Sequence, residues 1–222
     1  MIEEKKNELK QLLMAQATLV EKMVSMAIGG LYNTGSTFLN EVMVFEQRVN
    51  QIEMELENKC TSIIALHQPE AKDLRIILMI YKINNDLERL GDQAVNIAES
   101  AAHLVESPII QDLPELLTMK EATLKMLKDS LDAFAREDVL ASRKVCLADN
   151  FVDDLNRQIY KHLVRLMKAN PHNIDQYMHV LRIAKNLERV GDLSTNIAEN
   201  TIYLAEGKII KHHAEQELTQ LT

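Results

Sequence analysis

Acidic side chains occur at the same spacing in two places in the chain, and they are its strongest candidates for chemistry. Glu88 and Asp92 are four residues apart, as are Glu188 and Asp192, one hundred residues further on. Residues at this spacing share one face of an α-helix, so each pair would place two carboxylates side by side. Like charges in this arrangement weaken an isolated helix by roughly 0.2–0.5 kcal/mol per pair. Because a bound cation would remove that cost, the pairs are candidate metal ligands.

A second polar pattern precedes each acidic pair. Glu46 and Asn50 belong to the sequence E-x-x-V-N-x-I, and Asp149 and Asp153 belong to D-x-x-V-D-x-L. Facing helices with such patterns would offer oxygen ligands, which suit hard or borderline cations such as Fe, Mn, Mg or Ca. We therefore predict a candidate metal site in each half of the chain, with ligands drawn from Glu46, Asn50, Glu88, Asp92, Asp149, Asp153, Glu188 and Asp192.

The alternative is that these acids form an ordinary solvated helix face. Arg89 and Arg189 could then supply the compensating charge. If metal does bind, we expect the second half to bind it more tightly, because the neutral Asn50 takes the place of a carboxylate in the first half. The acidic stripe also extends along its helix, and Lys185 replaces an amide at one position of the second copy; the further stripe residues are Asn85, Asn96 and Glu99, repeated in part at Asn196 and Glu199.

Composition excludes several other functions. The chain has 222 residues and a formal net charge of −8, which opposes binding to the phosphate backbone of nucleic acids. No histidine follows a glutamate at the spacing of di-iron oxidases, no glycine-rich phosphate loop is present, and no nucleophile can be paired with a base. We therefore predict no catalytic residues. Cys60 and Cys146 lack a CxxC spacing and are expected to be buried thiols of a cytosolic protein. The apolar run from Ile76 to Tyr81 is too short to cross a bilayer.

The elements that must position the acids are helices, and they are duplicated. The segment NNDLERLGDQAVNIAE from Asn84 to Glu99 returns as KNLERVGDLSTNIAE from Lys185 to Glu199. Apolar residues in both copies follow steps of four and three, which predicts long helices with coiled-coil-like packing. We predict an all-α protein of two tandem three-helix bundles related by a pseudo-two-fold internal repeat. The first half comprises residues 1–108 and the second half residues 109–222, joined by a linker at 107–114.

Punctuating residues place the helix ends. We expect Ser36 to cap the second helix, Pro69 and Pro171 to start the third and sixth, and Gly207 to end the sixth. The fourth and fifth helices should span about 116–134 and 139–168. The interval from the second-helix motif to the acidic pair is three residues longer in the first half, so we place that difference before one of the two prolines. Gly91 and Gly191 lie mid-helix beside the acids and indicate a close approach by a helix, an ion or a partner.

The chain resembles the PhoU family. The resemblance rests on the stretch from Gln68 to Arg75, QPEAKDLR, followed by D-L-E-R-L-G-D at 86–92, and on the second L-E-R-V-G-D at 187–192. It extends over nearly the whole chain. Either L-E-R-x-G-D motif alone would be weak, whereas the tandem pattern is specific.

The resemblance implies a cytoplasmic regulator of phosphate uptake. Such a protein is an adaptor between a phosphate ABC transporter, through its ATPase, and a sensor histidine kinase, and it keeps phosphate-starvation genes off when phosphate is plentiful. It also implies metal clusters on the acidic motifs named above. We further expect a homodimer that meets the membrane only through its partners. The alternative function is a helical-bundle enzyme or metal store that uses metal–carboxylate sites.

Overall fold

The computed structural model describes residues 2–31, 37–105 and 113–207. Within these ranges the chain forms no strand, and the prediction of an all-α protein is confirmed. Its six helices are α1 (Ile2–Gly29), α2 (Phe38–His67), α3 (Ala71–Ala102), α4 (Pro114–Arg136), α5 (Val139–Ala169) and α6 (Ile174–Glu206). A 3-10 turn at Pro171–Asn173 precedes α6. The longest helix, α6, has 33 residues and is about 50 Å long at 1.5 Å per residue.

The helices form two three-helix bundles that are joined along one side. Helices α1, α2 and α3 pack on one another, and α4, α5 and α6 do the same. The bundles meet where α3 packs against α6 and where α1 touches α4. The apolar stripe predicted for α3 is buried throughout and consists of Ile76, Ile80, Ile83, Leu87, Leu90, Ala94, Ile97, Ala101 and Leu104. The two central helices therefore serve both their own bundle and the inter-bundle interface, which fixes their polar faces relative to each other.

The internal repeat of the sequence is also a repeat of the structure. A Cβ added to Gly91 would lie 3.6 Å from Val49 and 3.7 Å from Met23. A Cβ added to Gly191 would lie 3.5 Å from Val152 and 3.8 Å from Met126. The equivalent residues are thus 103 positions apart in the first two helices of each half and 100 apart in the third. The three-residue difference falls across the α2–α3 connection, as the sequence predicts.

Helix ends agree with the sequence prediction in part. Gly207 ends α6 with φ of 71°, a left-handed conformation that glycine adopts without strain. The third helix begins at Ala71 rather than at Pro69, because Gln68 caps α2 in the left-handed region and Pro69 lies in the connection that follows. Pro171 opens the 3-10 turn rather than α6 itself. Ser36, the boundary between residues 108 and 109, and the linker as far as residue 112 lie outside the described residues.

Helix α1 would be long and apolar enough to cross a membrane by length and composition alone, with 44% of its most apolar window buried. Its apolar side chains are core residues of the first bundle. Leu9, Val20 and Met23 have no exposed surface, and Leu13 has almost none. Both cysteines are buried and free, as predicted. Burial raises the pKa of Cys60 to about 11 and that of Cys146 to about 12, so both thiols are protonated at neutral pH.

Candidate functional site

The predicted acidic residues lie on two equivalent surfaces, one in each bundle, where the second helix packs on the third. Each surface is centred on a mid-helix glycine, and the approach that the glycine permits is made by a helix. Gly91 faces α2 at Val49, and Gly191 faces α5 at Val152. Both added Cβ atoms would be in ordinary van der Waals contact with these neighbours. The side chains differ in depth: Asp149 is buried, Asp92 and Asp192 are exposed, and the remaining five are half-buried, namely Glu46, Asn50, Glu88, Asp153 and Glu188.

Carboxylates accumulate on the first-half surface. Burial raises the pKa of Glu88 above its ordinary value, and the negative charges of Asp92, Glu53 and Glu46 raise it further, while Arg89 lowers it. The predicted acids of α2 and α3 therefore share one electrostatic environment. Glu53 was not among the predicted residues, although it lies seven positions after Glu46 and hence on the same face of α2. Burial also raises the pKa of Glu53.

An amide takes part in the same surface. The Asn50 side chain donates from Nδ2 to Oε1 of Glu46 at 3.4 Å. This neutral donor partly offsets the charge of Glu46 without adding a cation. The first-half surface thus keeps its excess of negative charge.

The second-half surface carries the same acids with bases beside them. Lys185 forms an ion pair with Glu188, one helical turn away. Arg157 lies 3.9 Å from Oδ2 of Asp153. The first half has Asn85 and Met54 at the positions of these two bases. Asp149 is only 5% exposed, and its Oδ1 would lie 3.4 Å from a Cβ on Gly191.

These surfaces do not form ready-made metal centres. In the part of the chain that the structure describes, no three His, Cys, Asp or Glu side chains form a group that could hold a metal ion. The oxygen ligands predicted from the sequence are close enough to repel one another but do not converge on one point. A metal site of Fe, Mn, Mg or Ca remains a prediction.

The acidic stripe of α3 also reaches the interface between the bundles. Arg182 of α6 donates to Oδ1 of Asn96 at 2.7 Å and to Oε2 of Glu99 at 3.1 Å. These two α3 residues, which follow the acidic pair in the sequence, therefore join the two bundles. Their interaction was not foreseen, because the sequence does not show which helix faces α3.

A buried carboxylate lies on the other side of this interface. Asp86 is 7% exposed, and its Oδ2 accepts from Nδ2 of Asn200 at 3.5 Å. Arg89 lies 3.8 Å from its Oδ1. Burial raises the pKa of Asp86 to about 6, although Arg89, a hydrogen bond from Asn196 and Lys82 lower it in part. The pseudo-equivalent residue in α6 is the neutral Asn186, which is also buried.

A family model for the PhoU domain matches the chain twice, over residues 13–101 and 116–201. Each match covers all three helices of one bundle and its acidic surface. The chain belongs to the PhoU family. The family predicted from the L-E-R-x-G-D motifs is thereby confirmed.

Relatives in this family match nearly the whole chain. A protein of Aquifex aeolicus described as a phosphate-specific transport system accessory protein PhoU homolog is 38% identical over 210 residues, 95% of either chain. The homolog of that description from Pseudomonas aeruginosa is 36% identical over 203 residues, which are 90% of this chain and 83% of the relative.

Solved PhoU-family structures share the fold. The crystal structure of PhoU from Pseudomonas aeruginosa matches with a TM-score of 0.88 and 33% identity, covering 94% of this chain and all of that one. The phosphate transport system regulatory protein PhoU from Streptococcus pneumoniae matches with a TM-score of 0.87 and 27% identity, over 96% of this chain and all of that one. The predicted pair of tandem three-helix PhoU repeats is confirmed, and a role in the regulation of phosphate transport follows from the family.

Proposed function

We propose that this protein is a cytoplasmic adaptor that links a phosphate ABC transporter to a sensor histidine kinase and holds phosphate-starvation genes off when phosphate is plentiful. One observation carries the proposal. Both halves match the PhoU domain, and the relatives that carry the same pair of domains are described as accessory proteins of a phosphate-specific transport system.

The surface chemistry supports action by contact rather than by catalysis. The first-half surface places Glu46, Glu53, Glu88 and Asp92 within one electrostatic environment. A partner with a basic patch would be steered towards such a surface, and its docking could bias a two-state transporter or kinase. Long helices packed into one body suit an adaptor that must contact two partners. We propose that the protein works without an enzymatic step and reaches the membrane only through these partners.

Binding assays with the two expected partners test the proposal. The purified chain should bind the ATPase subunit of a phosphate ABC transporter and the cytoplasmic part of a phosphate-sensing histidine kinase. Binding should weaken as salt concentration rises, because charge attraction is screened over about 10 Å at 0.1 M salt. A strain that lacks its own PhoU-family gene should regain repression in rich phosphate when this chain is expressed. Failure to bind either partner together with failure to restore repression would refute the adaptor function.

We further propose that the protein forms a homodimer. Two-fold dimers are the commonest symmetric assemblies of soluble proteins. Sedimentation of the purified chain would report its mass directly, and a monomer at micromolar concentration would contradict this proposal.

Metal binding is a separate proposal, and the alternative of a metal store or metal–carboxylate enzyme depends on it. If Fe, Mn, Mg or Ca binds, the acids named for each half would supply the oxygen ligands. Among the described residues no observation favours the alternative over the adaptor function. Elemental analysis of the protein as purified would separate the two, since a metal store must carry metal in stoichiometric amounts.

A further inference from the structure

An apolar groove of about 550 Å³ lies between α4 and α5 in the second bundle. Its floor includes Ala122, Met126 and Ala148, and its rim includes Lys125 and Phe151. The groove is open to solvent, and Phe151 at its edge is 52% exposed. Leu147 on the same helix is also exposed and extends the apolar surface.

The first bundle fills the equivalent position with its own side chains. Phe45 and Leu19 stand there, 103 residues before Ala148 and Ala122, and both pack against the hydrophobic core. Lys22, the counterpart of Lys125, places its Nζ 4.5 Å from the centre of the Phe45 ring. Two alanines therefore leave open in the second bundle what a phenylalanine and a leucine close in the first.

We infer that the groove between α4 and α5 receives an aromatic side chain of a partner protein, in the way that the first bundle receives Phe45. The ring would rest on Ala122, Met126 and Ala148, and the ammonium of Lys125 would face it. A cation and the negative face of an aromatic ring are electrostatically complementary, which favours an aromatic anchor over an aliphatic one. Lys125 pairs with Asp129 at 2.5 Å on the exposed side of α4 and so already stands at this rim.

The identity of the partner rests on the proposed adaptor function, whereas the existence of an aromatic site does not. The site can be tested first with a small probe, N-acetyl-phenylalaninamide, and the full chain labelled at its methionine methyl groups. Met126 lines the groove, and Met23 is its counterpart beneath Phe45. The probe should shift the Met126 methyl resonance saturably and leave Met23 unchanged. N-acetyl-leucinamide should shift Met126 less at the same concentration.

Two matched variants move the cavity between the bundles. Ala148→Phe fills the groove with the chain's own ring, so the response of Met126 should be lost. Phe45→Ala opens the first bundle, so Met23 should begin to respond. Ala122→Leu is a second filling variant and should reduce the response of Met126 if Ala148→Phe fails to fold. Equal responses of both methyl groups in the wild type, or a response of Met126 that survives filling, would overturn the inference.

The partner is tested with the transporter ATPase and the kinase fragment. Ala148→Phe should reduce binding to one of them at least tenfold while the other binds as before. If neither partner binds the wild type, the adaptor function fails while the probe result still decides the aromatic site. If both bind and the filled variant binds equally well, the inference of a docking groove is overturned. If filling instead dissociates a dimer of this chain, the occupant is a second copy, and a partner protein is likewise refuted.

Discussion

Asn85 and Met54 in the first half stand where the second half has Lys185 and Arg157. The two bundles are alike in their buried faces, as the matching contacts around Gly91 and Gly191 show. They differ in how they balance their acids. The second half neutralises Glu188 and Asp153 with neighbouring bases, whereas the first leaves Glu88 among like charges. The repeat thus preserves packing while the surface charge has diverged.

This difference changes an expectation drawn from counting carboxylates. The second half has four ionisable acids at the predicted ligand positions, and the first half has three and Asn50. The bases of the second half would have to be displaced or repelled by an incoming cation, and the first half gains Glu53 as a further acid. Local net charge, rather than the count at four positions, should decide where a cation binds, so we now expect the first half to bind it more tightly.

The largest effect should come from exchanging the buried interface residue between the halves. Between pH 4 and 6 the folded chain holds a proton on Asp86 that the unfolded chain releases, because its pKa is raised from 3.8 to about 6. The stability contributed by Asp86 is therefore full below pH 4 and is lost as pH rises through 6. A shift of about two units corresponds to about 3 kcal/mol at pH 7. Asp86→Asn should raise the free energy of unfolding at pH 7 by up to that amount and flatten its pH dependence, as urea titrations would show.

The reciprocal exchange is the matched control. Asn186→Asp places a carboxylate at the pseudo-equivalent buried position and should lower stability at pH 7 by a similar amount, with a new dependence on pH between 4 and 6. Equal stability of wild type and Asp86→Asn at all pH values would show that Asp86 is not desolvated as its burial indicates.

A middle-sized effect is expected for cation affinity. Replacing Lys185 with Asn and Arg157 with Met gives the second half the residues of the first, and we expect affinity there to rise roughly tenfold, about 1.4 kcal/mol. Asn50→Asp should likewise strengthen the first half. Calorimetric titration of Fe, Mn, Mg and Ca into metal-stripped protein would measure both. Tighter binding by the unaltered second half would restore the expectation from the sequence, and the absence of binding by every variant would end the metal proposal.

The glycines should give the smallest effect. Gly91→Ala meets only apolar neighbours at ordinary contact distance and removes the conformational cost of a mid-helix glycine, so it should stabilise the protein by up to about 1 kcal/mol. Gly191→Ala sets its methyl against the carboxylate of Asp149 and should gain less. Thermal unfolding would order the variants. A larger gain for Gly191→Ala would contradict the packing described for the two surfaces.

The fold could be read from the sequence because period and repetition report on buried faces. The steps of four and three through Ile80, Leu87 and Ala94 identified the core of α3, and the second copy gave the number of bundles. Charge balance could not be read in the same way. Arg157 is one turn from Asp153 and was within reach of the sequence pattern, but Arg182 and Glu99 come from different helices. Their pairing requires knowledge of the interface between α3 and α6, which neither motif encodes.

The most direct test of the adaptor function asks each half separately for its contribution in cells. A strain without its own PhoU-family gene would carry a phosphate-starvation reporter and one of three chains: wild type, Glu88→Gln with Asp92→Asn, or Glu188→Gln with Asp192→Asn. Amides remove the charge while leaving helix packing intact, so stability should hold or rise slightly in both variants. We predict that the wild type represses the reporter in rich phosphate, that the first-half variant loses repression, and that the second-half variant, whose Glu188 is already neutralised, loses less. Full repression by both variants would contradict a signalling role for the acidic surfaces.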